Sequence, residues 1–223
     1  MIGTVFDKWK ISPKGIIHLG ANFCNERTYY HKAGCDDAKI VWVEAIPEIC
    51  ERCKHFFPYS TILNEAVSDG EYDVEFMISS NNGESSSIFG FKDHSDIYPS
   101  VKEAGRIKMR TISLPNMMTK YNLDVNKYDF LVMDIQGAEM HALRGMEDMI
   151  NKFKFVVLEV SIFELYESQG TFNDILDFMK KYGFSLIDLE MHAEGWGDAL
   201  FTSSIDNLTK PVIKQHYDPN RPN

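Results

Sequence analysis

Three acidic residues of this chain, Glu44, Asp134 and Glu159, each stand directly after a run of apolar residues. Asp134, for example, follows Phe130-Leu131-Val132-Met133. Near-continuous apolar runs of this length are typical of strands buried on both faces of a parallel sheet. Ligands of open α/β sheets bind at the carboxyl ends of the strands. We therefore expect the three carboxylates at one rim, where they can bind hydroxyl groups or move a proton.

A glycine turn follows another apolar run, at Gly20-Ala21-Asn22. Glycine lets the backbone approach a ligand closely, and amides that open a helix favour a carboxylate or phosphate. In dinucleotide-binding folds, further glycines occupy the places that Asn22 and Asn25 take here. With Glu44 placed to accept the hydroxyls of a ribose, the spacing favours S-adenosylmethionine over NAD.

The adenine of such a cofactor would lie beside the end of the next strand, at Asn64-Glu65-Ala66-Val67. Ala66 and the backbone of Val67 can take the base, whereas Glu65 can equally be a surface residue.

Several residues are candidates for the chemistry itself. Asp134 can contact the cofactor ammonium, orient an acceptor hydroxyl or help to bind a divalent ion, although no ligand spacing demands a metal. Glu139 begins the following helix, where an acid also stabilises the helix dipole. His141 and His192 are candidate general bases, since imidazole titrates near neutral pH; a structural role is open for both.

Composition limits the class of partner. The chain has 33 acidic and 23 basic residues and a net charge of −10, whereas proteins that hold nucleic acid normally show a basic face. We expect a small-molecule or glycan acceptor, no nucleic acid and no membrane. No apolar run is long enough to span a bilayer and the N-terminus lacks a signal-peptide pattern, so the expected location is cytoplasmic.

Cysteines 24, 35, 50 and 53 are expected to be reduced core residues rather than zinc ligands.

Apolar strands alternate with helical patterns, which predicts one α/β domain with a doubly wound, mainly parallel sheet. The predicted strands are 15–20, 39–44, 60–67, 73–78, 106–112, 129–134, 154–160, 184–190 and 198–203, with the last two as an antiparallel pair. The predicted helices are 24–33, 47–57, 114–121, 138–151 and 171–182. Segment 79–105 is polar and long enough to be functional or disordered. The tail 206–223 is expected to wrap the surface.

Taken in order, these motifs resemble the FkbM family of S-adenosylmethionine-dependent methyltransferases. The similarity covers about residues 14–203 and includes Ile17-His18-Leu19-Gly20-Ala21-Asn22, Val43-Glu44-Ala45-Ile46-Pro47, Asn64-Glu65-Ala66-Val67-Ser68, Ser85-Ser86-Ser87-Ile88, Asp134-Ile135-Gln136-Gly137-Ala138-Glu139, Leu143-Arg144-Gly145, Leu158-Glu159-Val160-Ser161, Leu165-Tyr166 and Asp198-Ala199-Leu200-Phe201. The segment 134–139 is the most specific part. The resemblance implies a class I methyltransferase fold, with seven strands and a reversed final strand. It also implies methyl transfer to an oxygen of a sugar or natural-product scaffold.

The resemblance assigns a role to several of these motifs. The cofactor would be held by His18, Gly20, Ala21, Asn22, Glu44, Ala45, Glu65, Ala66, Val67 and Asp134. Gln136, Glu139 and Glu159 would lie towards the acceptor, and Ser86 and Ser87 would help to cover the site. The chain departs from the family at two positions: His18 replaces a common acid and Cys24 a common glycine. His18 supplies no fixed negative charge to a cationic cofactor.

Three alternatives stay open from the sequence. One is an NAD-dependent oxidoreductase on a similar sheet, and another is a binding module that keeps the cofactor pocket without catalysis. The third concerns the acceptor, which can be a protein or nucleic acid instead of a small molecule. The oligomeric state is not predicted.

Overall fold

A computed structural model describes residues 1–205 of the chain, and the predicted tail 206–223 lies outside the described residues. The strands within this range are β1 (Ile16–Leu19), β2 (Ile40–Glu44), β3 (Thr61–Asn64), β4 (Ala66–Val67), β5 (Asp73–Ser79), β6 (Glu103–Ile112), β7 (Phe130–Met133), β8 (Phe155–Ser161), β9 (Ser185–Met191) and β10 (Trp196–Thr202). The α-helices are α1 (Ile2–Trp9), α2 (Arg27–Lys32), α3 (Pro47–Phe56), α4 (His94–Ile97), α5 (Leu114–Lys120), α6 (Glu139–Met146) and α7 (Phe172–Lys181). Short 3₁₀ helices cover Asp37–Lys39, Val125–Lys127 and Glu147–Lys152.

Seven of these strands form one sheet, in the order β3-β2-β1-β7-β8-β10-β9. The pairs β1–β2, β2–β3, β1–β7 and β7–β8 are parallel, whereas β10 is antiparallel to both of its neighbours. The predicted fold class, a seven-stranded mainly parallel sheet with a reversed final strand, is therefore confirmed. Between β1 and β7 the chain order reverses, which is the point where open sheets of this type bind ligands.

Helices cover both faces of the sheet because successive residues of a strand point to opposite sides. On one side, Ile17 and Leu19 of β1 pack in a core with residues of α5, α6 and α7. On the other side, Ile16 packs in a core with residues of α1, α2 and α3. All four residues of β1 are buried, as the apolar run predicts.

Local capping fixes the ends of several helices. Thr171 and Asp174 form a reciprocal capping box at the start of α7. At the start of α5, the Ser113 side chain accepts a hydrogen bond from the amide of Asn116.

The sequence-based boundaries were wrong in several places. Predicted strand 60–67 is two strands separated by Glu65, and β4 belongs with β5 and β6 to a separate three-stranded sheet. Helix α2 starts at Arg27 rather than residue 24, because Cys24 has a positive φ of 56°. Helix α6 ends at Met146, where Glu147 also has a positive φ.

Two α-helices of the structure, α1 and α4, were not predicted at all. Helix α1 buries Val5, Phe6 and Trp9 against the sheet. The polar segment 79–105 contains α4 and the first residues of the long strand β6. No helix within residues 1–205 is long and apolar enough to cross a membrane.

Candidate active site

A cavity of about 450 Å³ lies at the carboxyl ends of β1, β2, β7 and β8, and the segment after β5 forms part of its wall. The volume is within the range of small-molecule sites. Residues from each of the predicted strand-end motifs reach it, including Gly20, Glu44, Ala66, Asp134 and Glu159. The predicted meeting of the strand-end acids is thus present in the structure.

The glycine turn after β1 requires a residue without a side chain. Gly20 has a φ of 83°, and a Cβ there would lie 1.7 Å from the carbonyl oxygen of Asp134. The amides of Gly20 and Ala21 both donate to the carbonyl of Val43, each at 2.9 Å. This close approach leaves backbone rather than side chain at the cavity wall, as a bulky adenosine cofactor needs.

Glu44 connects this turn to the start of α3. Its carboxylate accepts the amide of Asn22 at 2.7 Å and the amide of Ile46 at 2.8 Å. Burial raises the pKa of Glu44, and these backbone hydrogen bonds oppose the rise. Each carboxylate oxygen keeps further acceptor capacity for a ligand hydroxyl.

Glu65, Ala66 and Val67 line the next part of the cavity, together with Ala45. The Glu65 carboxylate is 8% exposed and accepts hydrogen bonds from Lys120 Nζ and Tyr121 Oη, both at 2.5 Å. Glu65 is therefore a paired, buried residue, and the surface role left open by the sequence does not apply.

Gln136 holds two of the acids together. Its Nε2 donates to Asp134 Oδ1 at 2.5 Å and to Glu159 Oε2 at 3.0 Å. Its Oε1 accepts the Tyr166 hydroxyl at 2.6 Å, which fixes the orientation of the amide. Gln136 has a positive φ of 54°, so the backbone bends sharply to place this side chain between the carboxylates.

The protonation of these acids follows from their surroundings. Loss of water around the Asp134 carboxyl, with the negative charge of Asp198, raises the pKa of Asp134 to about 6, although its hydrogen bond from Gln136 acts the other way. Burial and the charge of Asp134 raise the pKa of Glu159 well above its usual value. Because like charges so close resist ionising together, one proton stays on the pair near neutral pH, chiefly on Glu159.

Glu139 lies behind the turn instead of in the cavity. It is 1% exposed, and its two carboxylate oxygens accept the amides of Ile135 at 2.8 Å and Gly137 at 3.0 Å. Burial raises its pKa to about 7. The structure therefore gives Glu139 the role of holding the 134–139 turn, and it does not place Glu139 against an acceptor.

The serine segment contacts the same turn. Ser87 Oγ donates to the carbonyl of Gln136 at 2.7 Å, while Ser86 lines the cavity and its Oγ accepts the amide of Ser79 at 2.9 Å. Of the two predicted serines, Ser86 faces the ligand space and Ser87 positions Gln136.

Neither His18 nor His141 lines the cavity. His18 is 3% exposed, and its Nδ1 shares a hydrogen bond with the Tyr30 hydroxyl at 2.8 Å. Burial lowers the pKa of His18 to about 3, so it is a neutral core residue and contacts no cofactor space. His141 packs against Phe89 with ring centroids 4.9 Å apart, which places it away from the two carboxylates that it was expected to assist.

Several cavity residues were missed by sequence reasoning. They are Asn25, Glu26, Glu84, His94, Tyr98, Tyr166 and Trp196. Tyr166 belongs to one of the matched motifs, and Glu84 lies beside the serine run, so their positions gave a signal. Nothing in the sequence around Tyr98 and Trp196 indicates a role in the site, because only the fold brings these two residues to the cavity wall.

The cysteines behave as predicted: all four are buried with free thiols. Among residues 1–205, no group of three or more His, Cys, Asp or Glu side chains is arranged to hold a metal ion.

The family model of the methyltransferase FkbM domain matches residues 18–186. The chain belongs to this family. The prediction of an FkbM-type, S-adenosylmethionine-dependent methyltransferase is thereby confirmed at the level of the family. A curated relative is the 2-O-methyltransferase NoeI of Sinorhizobium fredii, 29% identical over 154 residues. The match covers 65% of this chain and 63% of that protein, so the chain aligns with under two thirds of the relative's length.

Solved structures with a similar backbone include a TehB-like SAM-dependent methyltransferase from Corynebacterium glutamicum, 12% identical with a TM-score of 0.46 over 91% of this chain and 87% of that one. Another is the magnesium protoporphyrin IX methyltransferase of Synechocystis with bound SAM, 8% identical with a TM-score of 0.42 over 85% and 69% of the two chains. Both similarities are too distant to bear on function.

Proposed function

We propose that the chain transfers a methyl group from S-adenosylmethionine to a hydroxyl oxygen of a small-molecule or glycan acceptor, most simply a sugar. One observation carries the proposal: Asp134 and Glu159 lie in the same cavity as the glycine turn, and the Gln136 amide donates a hydrogen bond to each of them. Proton-accepting groups beside a cofactor pocket are what an oxygen acceptor requires. The name of the curated relative, a 2-O-methyltransferase, supports an oxygen acceptor.

The cavity fits this cofactor in its shape and in its charge. Gly20 keeps its wall free of a side chain, Glu44 offers acceptors for a ribose, and Ala66 with Val67 offers a small apolar surface for a base. The sulfonium of S-adenosylmethionine supplies an activated methyl group when bound. The negative charge of Asp134 favours a cation there.

The protein's own contribution is then to orient the acceptor and to remove its proton. Asp134, with its pKa near 6, is ionised at neutral pH and can accept the hydroxyl proton. Glu159 keeps its proton and can donate a hydrogen bond to the acceptor. Tyr166 fixes the Gln136 amide, whose Nε2 donates to both carboxyls and holds them beside each other.

Two further features bear on the cellular compartment and on the class of acceptor. Four free cysteines suit a reducing compartment such as the cytoplasm. The acidic lining of the cavity disfavours a nucleic-acid acceptor, whose phosphates need basic groups.

The test is label transfer from methyl-labelled S-adenosylmethionine to a panel of neutral sugars and their methyl glycosides. We expect label on at least one acceptor with the unchanged protein, and a strong loss with Asp134→Asn. Asp177→Asn is the matched control, since Asp177 is exposed on α7 and does not line the cavity. Cofactor binding without transfer to any member of the panel would favour the non-catalytic binding module instead.

A further inference from the structure

The cavity is lined by carboxyl groups and, within residues 1–205, by no lysine or arginine. The acidic residues are Glu26, Glu44, Glu65, Glu84, Asp134 and Glu159. Lys120, which pairs with Glu65, stands outside the lining. Four of these six acids already have a role: Glu44 accepts backbone amides, Glu65 pairs with Lys120, and Asp134 with Glu159 forms the carboxyl pair. Of the remaining two, Glu26 is partly buried and Glu84 is exposed.

Glu84 lies in the segment after β5, which forms part of the cavity wall. Its side chain is exposed and forms no hydrogen bond or ion pair with a described residue. Its charge is close enough to raise the pKa of Asp134. An unpaired carboxylate at this place attracts a positively charged acceptor and repels a negatively charged one.

Aromatic residues form the wall beside these acids. Trp196 and Tyr98 both line the cavity, and Trp196 Nε1 donates to Tyr98 Oη at 2.7 Å. The His192 ring packs on the indole with centroids 4.2 Å apart. These contacts hold the Trp196 ring in one orientation, as a rigid surface for the apolar face of a ligand.

A polar atom without a partner lies in the same wall. His94 is 4% exposed and lines the cavity, and its Nδ1 has no hydrogen-bond partner among the described residues. This nitrogen is enclosed by the protein, and the other ring nitrogen, Nε2, lies 3.3 Å from Ser85 Oγ, so the His94 ring is a fixed part of the wall. Neutral polar side chains that line the cavity, Asn22, Asn25, Asn81 and Ser86, offer hydrogen-bond donors and acceptors to the hydroxyl groups of a ligand.

We infer that the acceptor is a polyhydroxylated ring without negative charge, which lies against Trp196, and that Glu84 repels analogues carrying a carboxylate or phosphate. This inference rests on the proposed function, because it assigns the acceptor to the same cavity. Neutral sugars and amino sugars meet the requirement, whereas uronic acids and phosphorylated sugars do not.

The size of the discrimination follows from screened electrostatics. Glu84 is exposed, so its interaction with an acceptor charge is weakened by water and salt. Removing its charge should change the affinity for an anionic sugar about 2- to 5-fold, and reversing it should change the affinity further. Both effects should shrink as the salt concentration rises from about 0.01 M to about 1 M.

The experiment compares glucose, glucosamine and glucuronate, which differ in charge on one ring scaffold. Affinities are measured by saturation-transfer NMR with protein saturated with S-adenosylhomocysteine, whose own binding is measured first. We expect glucose and glucosamine to bind more tightly than glucuronate. Glu84→Lys should reduce or invert the difference, Asp177→Lys should leave it unchanged, and high salt should weaken it.

A second variant tests the stacking surface. Trp196→Leu should weaken all three sugars about 2- to 10-fold without changing their order, because the lost contact is apolar. The inference is overturned if glucuronate binds the unchanged protein as tightly as glucose, if none of the sugars binds, or if Asp177→Lys alters the preference as much as Glu84→Lys. Failure to bind S-adenosylhomocysteine would instead overturn the proposed function.

Discussion

Acids that look alike in the sequence have different tasks in the structure, because their hydrogen-bond partners differ. Glu44 and Glu139 each accept two backbone amides and hold a turn. Asp134 and Glu159 share the side-chain amide of Gln136 and keep oxygens for the cavity. The sequence predicts that acids end these strands. Which carboxylates remain available depends on turn geometry that residue types alone do not give.

At the residue scale, Asp134→Asn should reduce turnover strongly while leaving the fold intact. Asparagine keeps the shape and the hydrogen bond capacity but cannot accept the proton. We expect a loss of about 10²- to 10⁴-fold in kcat, measured in single-turnover experiments with a responsive acceptor. Unchanged kcat would remove Asp134 from the reaction.

Glu159→Gln should stabilise the ligand-free protein increasingly as pH rises. The folded-state pKa of Glu159 is raised, so the stability tied to its proton is fully present below the unfolded pKa. It is lost as pH rises towards the folded pKa. Glutamine carries no such proton, so the difference in melting temperature between variant and wild type should grow from about pH 5 to about pH 8.

Glu103→Gln is the control for this effect. Its ion pair with Arg106 lowers the pKa of Glu103, so that acid is ionised in both states over the same pH window and its contribution is lost only at lower pH. A difference that stayed constant with pH for Glu159→Gln would contradict the protonated state assigned to that residue.

At the scale of elements, two turns build the site, and each depends on a backbone conformation rather than on a strand or helix. The turn after β1 touches the end of β7 through Gly20 and the Asp134 carbonyl. The 134–139 turn is held by the Glu139 carboxylate, which accepts two of its backbone amides, and by the Ser87 hydroxyl, which donates to the carbonyl of Gln136. Periodicity predicts the strands and helices on either side. It does not predict these cross-connections, since they join residues distant in the chain.

Gly20→Ala should abolish or greatly weaken cofactor binding. The new Cβ would lie 1.7 Å from the carbonyl oxygen of Asp134, so the turn must move. Gly183→Ala is the matched control: Gly183 has a similar φ of 80°, but a Cβ there meets no atom within 4 Å. Calorimetric titration with S-adenosylhomocysteine should show weaker binding for Gly20→Ala than for Gly183→Ala. An equal loss of affinity in both variants would show that the close contact between Gly20 and the Asp134 carbonyl is not what cofactor binding requires.

Tyr166→Phe should lower kcat/KM without a comparable loss of cofactor affinity. The substitution keeps the buried ring and leaves Gln136 Oε1 without its donor, so the amide between Asp134 and Glu159 is free to turn. A loss of about 1–3 kcal/mol, or about 5- to 160-fold, is expected from an unpaired polar atom. A loss of cofactor affinity equal to the loss of kcat/KM would point to a general packing defect.

At the scale of the whole molecule, the main parallel sheet can be predicted from the sequence, whereas the pairing of the strands outside that sheet cannot. Apolar runs such as 130–133 and 155–158 predict strands buried on both faces, and the alternation with helices predicts their parallel pairing. The segment 73–112 also contains strands, but β5 and β6 pair with each other outside the main sheet. Pairing between strands of similar composition is decided by packing, which local pattern does not contain.

The same reason explains the missed parts of the site. The aromatic wall joins Tyr98, Tyr166 and Trp196 from three separate segments. His18, by contrast, belongs to a matched motif yet points into the core beside Tyr30 and Trp42. A motif therefore predicts where a strand ends. Whether a given side chain of that motif reaches the cavity depends on the side of the strand from which it projects.

The most direct test of the proposed cofactor site is a calorimetric titration of the unchanged protein with S-adenosylmethionine and S-adenosylhomocysteine, beside Glu44→Ala. We expect affinity in about the micromolar range and at least about tenfold weaker binding for Glu44→Ala, since that variant loses the ribose acceptor and releases the amides of Asn22 and Ile46. Absence of binding to both compounds by the folded, unchanged protein would rule out this cavity as a cofactor site.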